Sequence, residues 1–135
     1  MPHPDAATWR KLGVREGDHL VLLHAPTGWD ASTSPAGSVA RRRTRRAADV
    51  VVAFFASRAA FEREAGVLVE LPTPDGAVWV AWPRKAAGHL SDLSEQVLRD
   101  VLLPRGVVDV KVARLDEDWS GLRFVWRRAA RAARR

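Results

Sequence analysis

Arg84 and Lys85 follow the apolar run Trp79-Val80-Ala81-Trp82 across Pro83, and shortly precede Ser91-Asp92, where a helix is expected to begin. Cations beside a helix N-terminus can hold a phosphate or carboxylate, because the first helical turn leaves backbone N–H groups unpaired. Trp29, Trp82 and Trp119 each stand at or just beyond an apolar run, where an indole can stack on a planar ligand. Ser120 follows Trp119 and completes this set of candidate ligand-binding residues. Covalent chemistry is harder to build. Ser57, Ser91, Ser94 and Ser120 lie in no nucleophile motif, and spacing places no histidine with a carboxylate, so no catalytic residue is assigned. Asp116, Glu117 and Asp118 read as a solvated acidic turn rather than a metal site, and His3, His19, His24 and His89 lack ligand spacing. There is no cysteine, which excludes disulfides and thiolate metal sites. No metal is expected.

Such residues need a frame to bring them together. Leu20 to Leu23, Asp49 to Phe55 and Ala77 to Trp82 are continuous apolar or β-branched runs, the pattern of strands buried on both faces. Ser38 to Arg43 reads as a short exposed strand, Val107 to Ala113 and Leu122 to Trp126 as two further strands. Helices are expected from about Ser57 to Glu70, with Ser57 as N-cap, and from about Asp92 to Leu103, with Ser91 or Asp92 as N-cap and Asp92/Glu95 at a capping-box-like spacing. Helices between strands imply parallel crossovers, whereas the short connection at Asp116 to Gly121 allows only an antiparallel hairpin. The fold class is therefore α/β: a Rossmann-like three-layer sandwich with a mostly parallel six-stranded sheet and a C-terminal antiparallel hairpin. Residues 1–8 read as a flexible arm, 9–128 as one domain and 129–135 as a basic tail. In such sheets ligands bind beyond the carboxyl ends of the strands, so Trp29, Trp82, Arg84, Lys85, Ser91, Asp92, Trp119 and Ser120 are expected along that edge. Asp109 and Lys111, two apart on one strand, should share a face.

The net charge of +6 is unevenly placed. Arg41, Arg42, Arg43, Arg45 and Arg46 form one cluster, and Arg127, Arg128, Arg131, Arg134 and Arg135 another; without these ten the remainder carries −4. Electrostatic contact with nucleic acid or an acidic partner would fall to the terminal cluster, nonspecifically and with strong salt dependence. No apolar run approaches the roughly 20 residues that span a bilayer, and the N-terminus lacks signal-peptide order. A cytoplasmic protein without membrane association is expected.

Trp79-Val80-Ala81-Trp82-Pro83-Arg84-Lys85, with Ser91-Asp92-Leu93 and Glu95, resembles the bacterial domain of unknown function 3052 family, as does Asp116-Glu117-Asp118-Trp119-Ser120-Gly121-Leu122-Arg123-Phe124-Val125. Leu12-Gly13-Val14 with Gly17, Ala25-Pro26, Gly28-Trp29, Asp49-Val50-Val51 and Val108 to Val112 fit the same family. Ala87 departs from it, where a serine is usual before the glycine. The order of elements more distantly resembles a shortened class I methyltransferase. That resemblance implies a last strand inserted beside the Trp79 strand, leaving Val107 to Ala113 at an edge. It also implies an S-adenosylmethionine site, with a glycine-rich turn after the first strand and an acidic residue about 20 residues on. Here the turn is Ala25-Pro26-Thr27-Gly28, and arginines 41–46 stand at the later position. The reading is thus a non-catalytic ligand-binding module for a small anionic or nucleotide-like molecule, with no resident cofactor. The alternatives are an S-adenosylmethionine-dependent methyltransferase and an adaptor that binds nucleic acid or an acidic protein.

Overall fold

The computed structural model describes residues 4–135. Helix α1 (Ala6–Leu12) precedes β1 (His19–Leu23), β2 (Ser38–Ala40) and β3 (Ala48–Phe54); then come α2 (Arg58–Leu68), β4 (Pro72–Pro83), α3 (Glu95–Leu102), β5 (Val107–Arg114), β6 (Trp119–Trp126) and α4 (Arg128–Arg134). The sheet order is β2-β1-β3-β4-β6-β5. β1 to β4 are parallel neighbours, and β6 runs antiparallel to both β4 and β5. The insertion of β6 between β4 and β5 is the order expected from the methyltransferase resemblance.

The apolar runs are continuous because both faces of the central strands are covered. Alternate side chains go to opposite layers. Leu20, Leu22, Val50, Val52, Phe54 and Trp79 pack with Trp9 and Leu12 of α1. Val21, Leu23, Val51, Ala53, Val78 and Val80 pack with Phe61, Ala65 and Leu68 of α2 and Leu98 and Leu102 of α3. Trp79 is fully buried, and its indole N–H donates to the Leu12 carbonyl at 2.9 Å, so the α1 layer is tied to the sheet by a bond that burial makes obligatory.

Several local expectations are revised. The arm expected over 1–8 is structured from residue 4 onward: Asp5 caps α1 by accepting from the Thr8 N–H, and Thr8 is buried; residues 1–3 lie outside the described part. No helix is expected at 24–37 or 41–47 and none is there; Trp29, Ala31 and Ala36 cover the α1 face directly. α3 starts later than expected, with Ser94 as N-cap bonding the Val97 N–H at 3.2 Å, and Asp92 caps a different helix, accepting from the Arg58 N–H of α2 at 2.7 Å. β4 extends back to Pro72 through an irregularity opposite Ala48 and Val50, at which a side chain on Gly76 would meet the Asp49 carbonyl at 2.8 Å. A bulge between Asp109 and Lys111 places them on opposite faces: Asp109 pairs with Arg99 of α3, and Lys111 Nζ reaches the Lys11 carbonyl of α1. The even spacing misled because a bulge inserts one residue and inverts the alternation.

Candidate functional site

At the carboxyl edge, β1 and β3 end side by side, although the chain leaves β1 for β2 on one side and resumes at β3 on the other. This is the switch point, where a crevice opens between connections that diverge. A cavity of about 350 Å³ lies there, lined among others by His24, Phe55, Ser57, Ala60, Arg63 and Glu64. His24 adopts a left-handed backbone (φ 58), rare for a residue other than glycine. Its Nε2 lies 2.8 Å from Glu64 Oε2, and its ring packs on Phe55 at 5.4 Å between centroids. In the neutral form Nε2–H donates to Glu64, which leaves Nδ1 with a free lone pair. Ser57 sits at the mouth as N-cap of α2.

A second hollow of about 420 Å³ lies farther along the same edge, lined by Lys85, Gly88, His89, Leu90 and Ser91. His89 Nε2 is 2.8 Å from Asp118, tying this loop to the turn between β5 and β6. Both histidine–carboxylate pairs join residues distant in sequence, 40 apart for His24–Glu64 and 29 for His89–Asp118. Local spacing carried no signal of either pair; the fold alone brings these histidines and carboxylates together. The one sequence clue to His24 was its position directly after the first buried strand.

The eight sequence-chosen residues all lie at this edge, but they do not line one cavity. Trp119 stands opposite Pro83 and Ser120 opposite Trp82 in the β4–β6 ladder. Arg84 donates to the Glu117 carbonyl at 2.7 Å, while its own N–H bonds the Asp118 carbonyl. Its guanidinium thus holds the hairpin turn. Lys85 is exposed in the second hollow. Ser91 is half-buried and donates to the Ala56 carbonyl, while Asp92 serves α2. Trp29 is buried edge-on between Trp9 and Phe54 and donates to Asp116 at 2.9 Å. Trp82 is buried in the opposite layer, with the α2 side. Only Trp119 stays half-exposed, edge-on to Phe54 at 5.1 Å. Their separation follows from the sheet itself, whose two faces divide side chains that share an edge.

The acidic turn is a structural device. Asp116 accepts from the Asp118 and Trp119 N–H groups as well as from Trp29. Among the described residues no cluster suited to a metal ion is present.

The terminal arginines leave from the amino edge and fold back on the body. Arg134 forks onto Glu70 at 2.8 and 3.0 Å and covers the Trp126 ring at 3.5 Å. Arg135 reaches Asp75 at 2.7 Å, and Arg131 donates to the Trp126 carbonyl. The hydrogen bonds from these arginines hold the Glu70 and Asp75 carboxyls below their ordinary range. Arg127 and Arg128 are exposed. At the other cluster, Arg41 donates to the Trp29 carbonyl and Arg46 to Ser38, while Arg42, Arg43 and Arg45 make no hydrogen bond or ion pair among the described residues. No helix among the described residues is long and apolar enough to cross a membrane.

No protein-family model matches the chain, and no curated protein matches its sequence. Solved structures do match in shape. An S-adenosylmethionine-dependent methyltransferase from Aquifex aeolicus aligns with a TM-score of 0.58 at 10% identity, over 87% of this chain and 87% of that one. The CcbJ methyltransferase from Streptomyces caelestis aligns at 0.59 and 10%, over 93% and 90%. The tRNA methyltransferase TrmK from Bacillus subtilis aligns at 0.59 and 8%, over 98% and 70%. At these identities the likeness concerns the fold, a methyltransferase-like Rossmann arrangement.

Proposed function

We propose that this chain binds a small anionic, nucleotide-like molecule in the crevice between the carboxyl ends of β1 and β3, as a non-catalytic module on a methyltransferase-like fold. The carrying observation is the 350 Å³ cavity at the switch point, with the His24–Glu64 pair on its wall. Arg63 lines the same cavity, and Arg41, which directly follows β2 and donates to the Trp29 carbonyl, stands where a methyltransferase of the resembled kind would present an acid to ribose hydroxyls. That exchange favours a ligand bearing negative charge. The resemblance to the domain of unknown function 3052 family belongs to this proposal and supplies no competing activity.

A second reading, an S-adenosylmethionine-dependent methyltransferase, is favoured by the solved structures of that description. The residues at the first turn do not suit that cofactor. Pro26 has no N–H to offer, and no helix follows β1, so no helix N-terminus meets the ligand there. Thermal unfolding with ADP and with S-adenosylmethionine separates the readings. Ligand at about 100 times its dissociation constant stabilises by roughly 2.7 kcal/mol. A shift with ADP that is lost in Arg63→Ala supports the module; a shift with S-adenosylmethionine alone would transfer support to the methyltransferase, and no shift with either would refute both.

A further inference from the structure

The amino edge of the sheet, remote from the crevice above, contains a cavity of about 290 Å³ whose walls are polar. Arg123 of β6 reaches it from the sheet, and Arg15 from the connection into β1. The Arg123 side chain makes no hydrogen bond or ion pair among the described residues, and neither does that of Arg15. Arg123 is also half-buried. Partial burial pulls its ionisation below the ordinary guanidinium range, and the like charges of Arg15 and Arg131 act in the same direction. Retaining a cation there costs folding energy unless something negative answers it. Three other arginines on this side of the molecule have an answer: Arg134 has Glu70, Arg135 has Asp75, and Arg131 has the Trp126 carbonyl.

The same cavity has the complementary chemistry. Asp49 uses one oxygen to accept the His19 N–H at 2.7 Å, and Asp18 uses one to accept the Arg15 N–H at 2.8 Å. Each has a second oxygen that makes no bond among the described residues. Both carboxylates are held by backbone donors and so keep fixed positions without neutralising the arginines. The cavity thus offers two guanidinium forks unpaired among the described residues and two carboxylates with an open acceptor oxygen, beside a third carboxylate, Asp75, that Arg135 already holds.

We propose that this amino-edge cavity is a binding site for a small phosphorylated polyol, its phosphate held by Arg123 and Arg15 and its hydroxyls by Asp49 and Asp18. Guanidinium forks match phosphate oxygens in pairs, and carboxylates accept from hydroxyl groups but repel a bare anion. The site therefore selects an oxyanion whose hydroxyl donors are set apart from its charge over inorganic phosphate, whose only hydroxyls are on the charged group itself. It is independent of the carboxyl-edge reading.

Calorimetric titration of the full chain with glycerol 3-phosphate, and separately with inorganic phosphate, tests the assignment. Glycerol 3-phosphate is expected to bind more tightly than inorganic phosphate, and Arg123→Gln to weaken it by about tenfold or more. Arg105→Gln, which removes the same charge outside the cavity, should leave binding unchanged. Ligand-free Arg123→Gln should melt at or above the wild-type temperature, because it relieves an unanswered cation. Absence of binding at about 10 mM, well above a millimolar dissociation constant, would overturn the proposal. So would equal losses in the two variants, equal affinity for the two probes, or a destabilised ligand-free Arg123→Gln.

Discussion

Replacing Trp29 by phenylalanine should loosen the whole carboxyl edge. Trp29 is 4% exposed and belongs to the helix-free connection between β1 and β2, yet its indole donates to Asp116 in the β5–β6 turn, 87 residues away. That bond straps one end of the sheet to the other. Trp29→Phe keeps an aromatic ring against Trp9 and Phe54 but deletes the N–H and part of the ring volume. Losing a hydrogen bond to a charged acceptor costs about 1.5–3 kcal/mol, and the residual void about 1 kcal/mol more. Asp116 is half-exposed, so water can replace part of the lost bond, and a net loss of about 2 kcal/mol is expected. At roughly 2.1 cal/mol/K per residue, a chain of this length loses about 7 °C in Tm for that change. Scanning calorimetry gives the value, and a cycle with Asp116→Ala gives the coupling, expected near 1 kcal/mol or above because the residues touch. A fall below about 2 °C in Trp29→Phe, or strict additivity in the double variant, would refute the strap.

The other expectations are more local. Lys85→Ala should weaken an anionic probe at the second hollow while leaving Tm within about 1–2 °C, since an exposed lysine contributes little to folding; a large Tm loss in thermal unfolding would show it to be structural. Asp92→Ala should cost about 1 kcal/mol and raise amide exchange at the start of α2, because the carboxylate accepts from the Arg58 N–H there; faster exchange in α3 instead would contradict the revised capping. Glu70 and Asp75 have folded-state values below their unfolded ones, so their contribution is present above the ordinary carboxylate range of about 4 and disappears as pH falls through the lowered folded values. The Trp126 share of the fluorescence, taken as the difference between wild type and Trp126→Phe, should change over that acidic interval as Arg134 is released and stay flat from neutral pH down to it. Nonspecific duplex DNA affinity should reside chiefly in the turn after β2: removing Arg42, Arg43 and Arg45 together should flatten the log–log salt slope by up to about 2.7, more than deleting residues 129–135, whose Arg134 and Arg135 are already paired.

The fold was legible where residue type and burial agree. Leu20 to Leu23 and Val50 to Phe54 must be covered on both faces, and a sheet with helices on each side supplies that cover. Ser57 was legible as a cap because a hydroxyl directly precedes the helical spacing of Phe61, Ala65 and Leu68. Asp92 was misread because its partner, the Arg58 N–H, is 34 residues away, and capping rules look only along the chain. Asp109 and Lys111 failed for a related reason: a bulge is decided by how β5 fits β6, with no requirement for glycine to announce it. The candidate site was legible as an edge and not as a cavity. Topology brought Trp29, Trp82, Lys85, Asp92 and Trp119 to one end of the sheet, whereas the crevice depends on His24 meeting Glu64, a pairing set by the placement of α2 against β1.

The missing helix between β1 and β2 decides what the crevice can hold. In a dinucleotide or methyltransferase site of the resembled kind, the turn after the first strand feeds a helix whose N-terminus supplies backbone donors and positive dipole. Here the chain instead drops Trp29 into the core and proceeds to β2 without a helix, so this positive end is lost. The charge reappears as side chains, with Arg63 on α2 and Arg41 directly after β2. Backbone donors act only at contact distance in fixed directions, whereas arginines reach farther and recognise oxyanions in more than one pose. Such an edge should discriminate weakly among nucleotides by sugar and strongly by anionic charge. Competition between ADP and adenosine tests that directly: comparable affinity for the two would show that the arginines play no part and that the crevice reads the base or ribose instead.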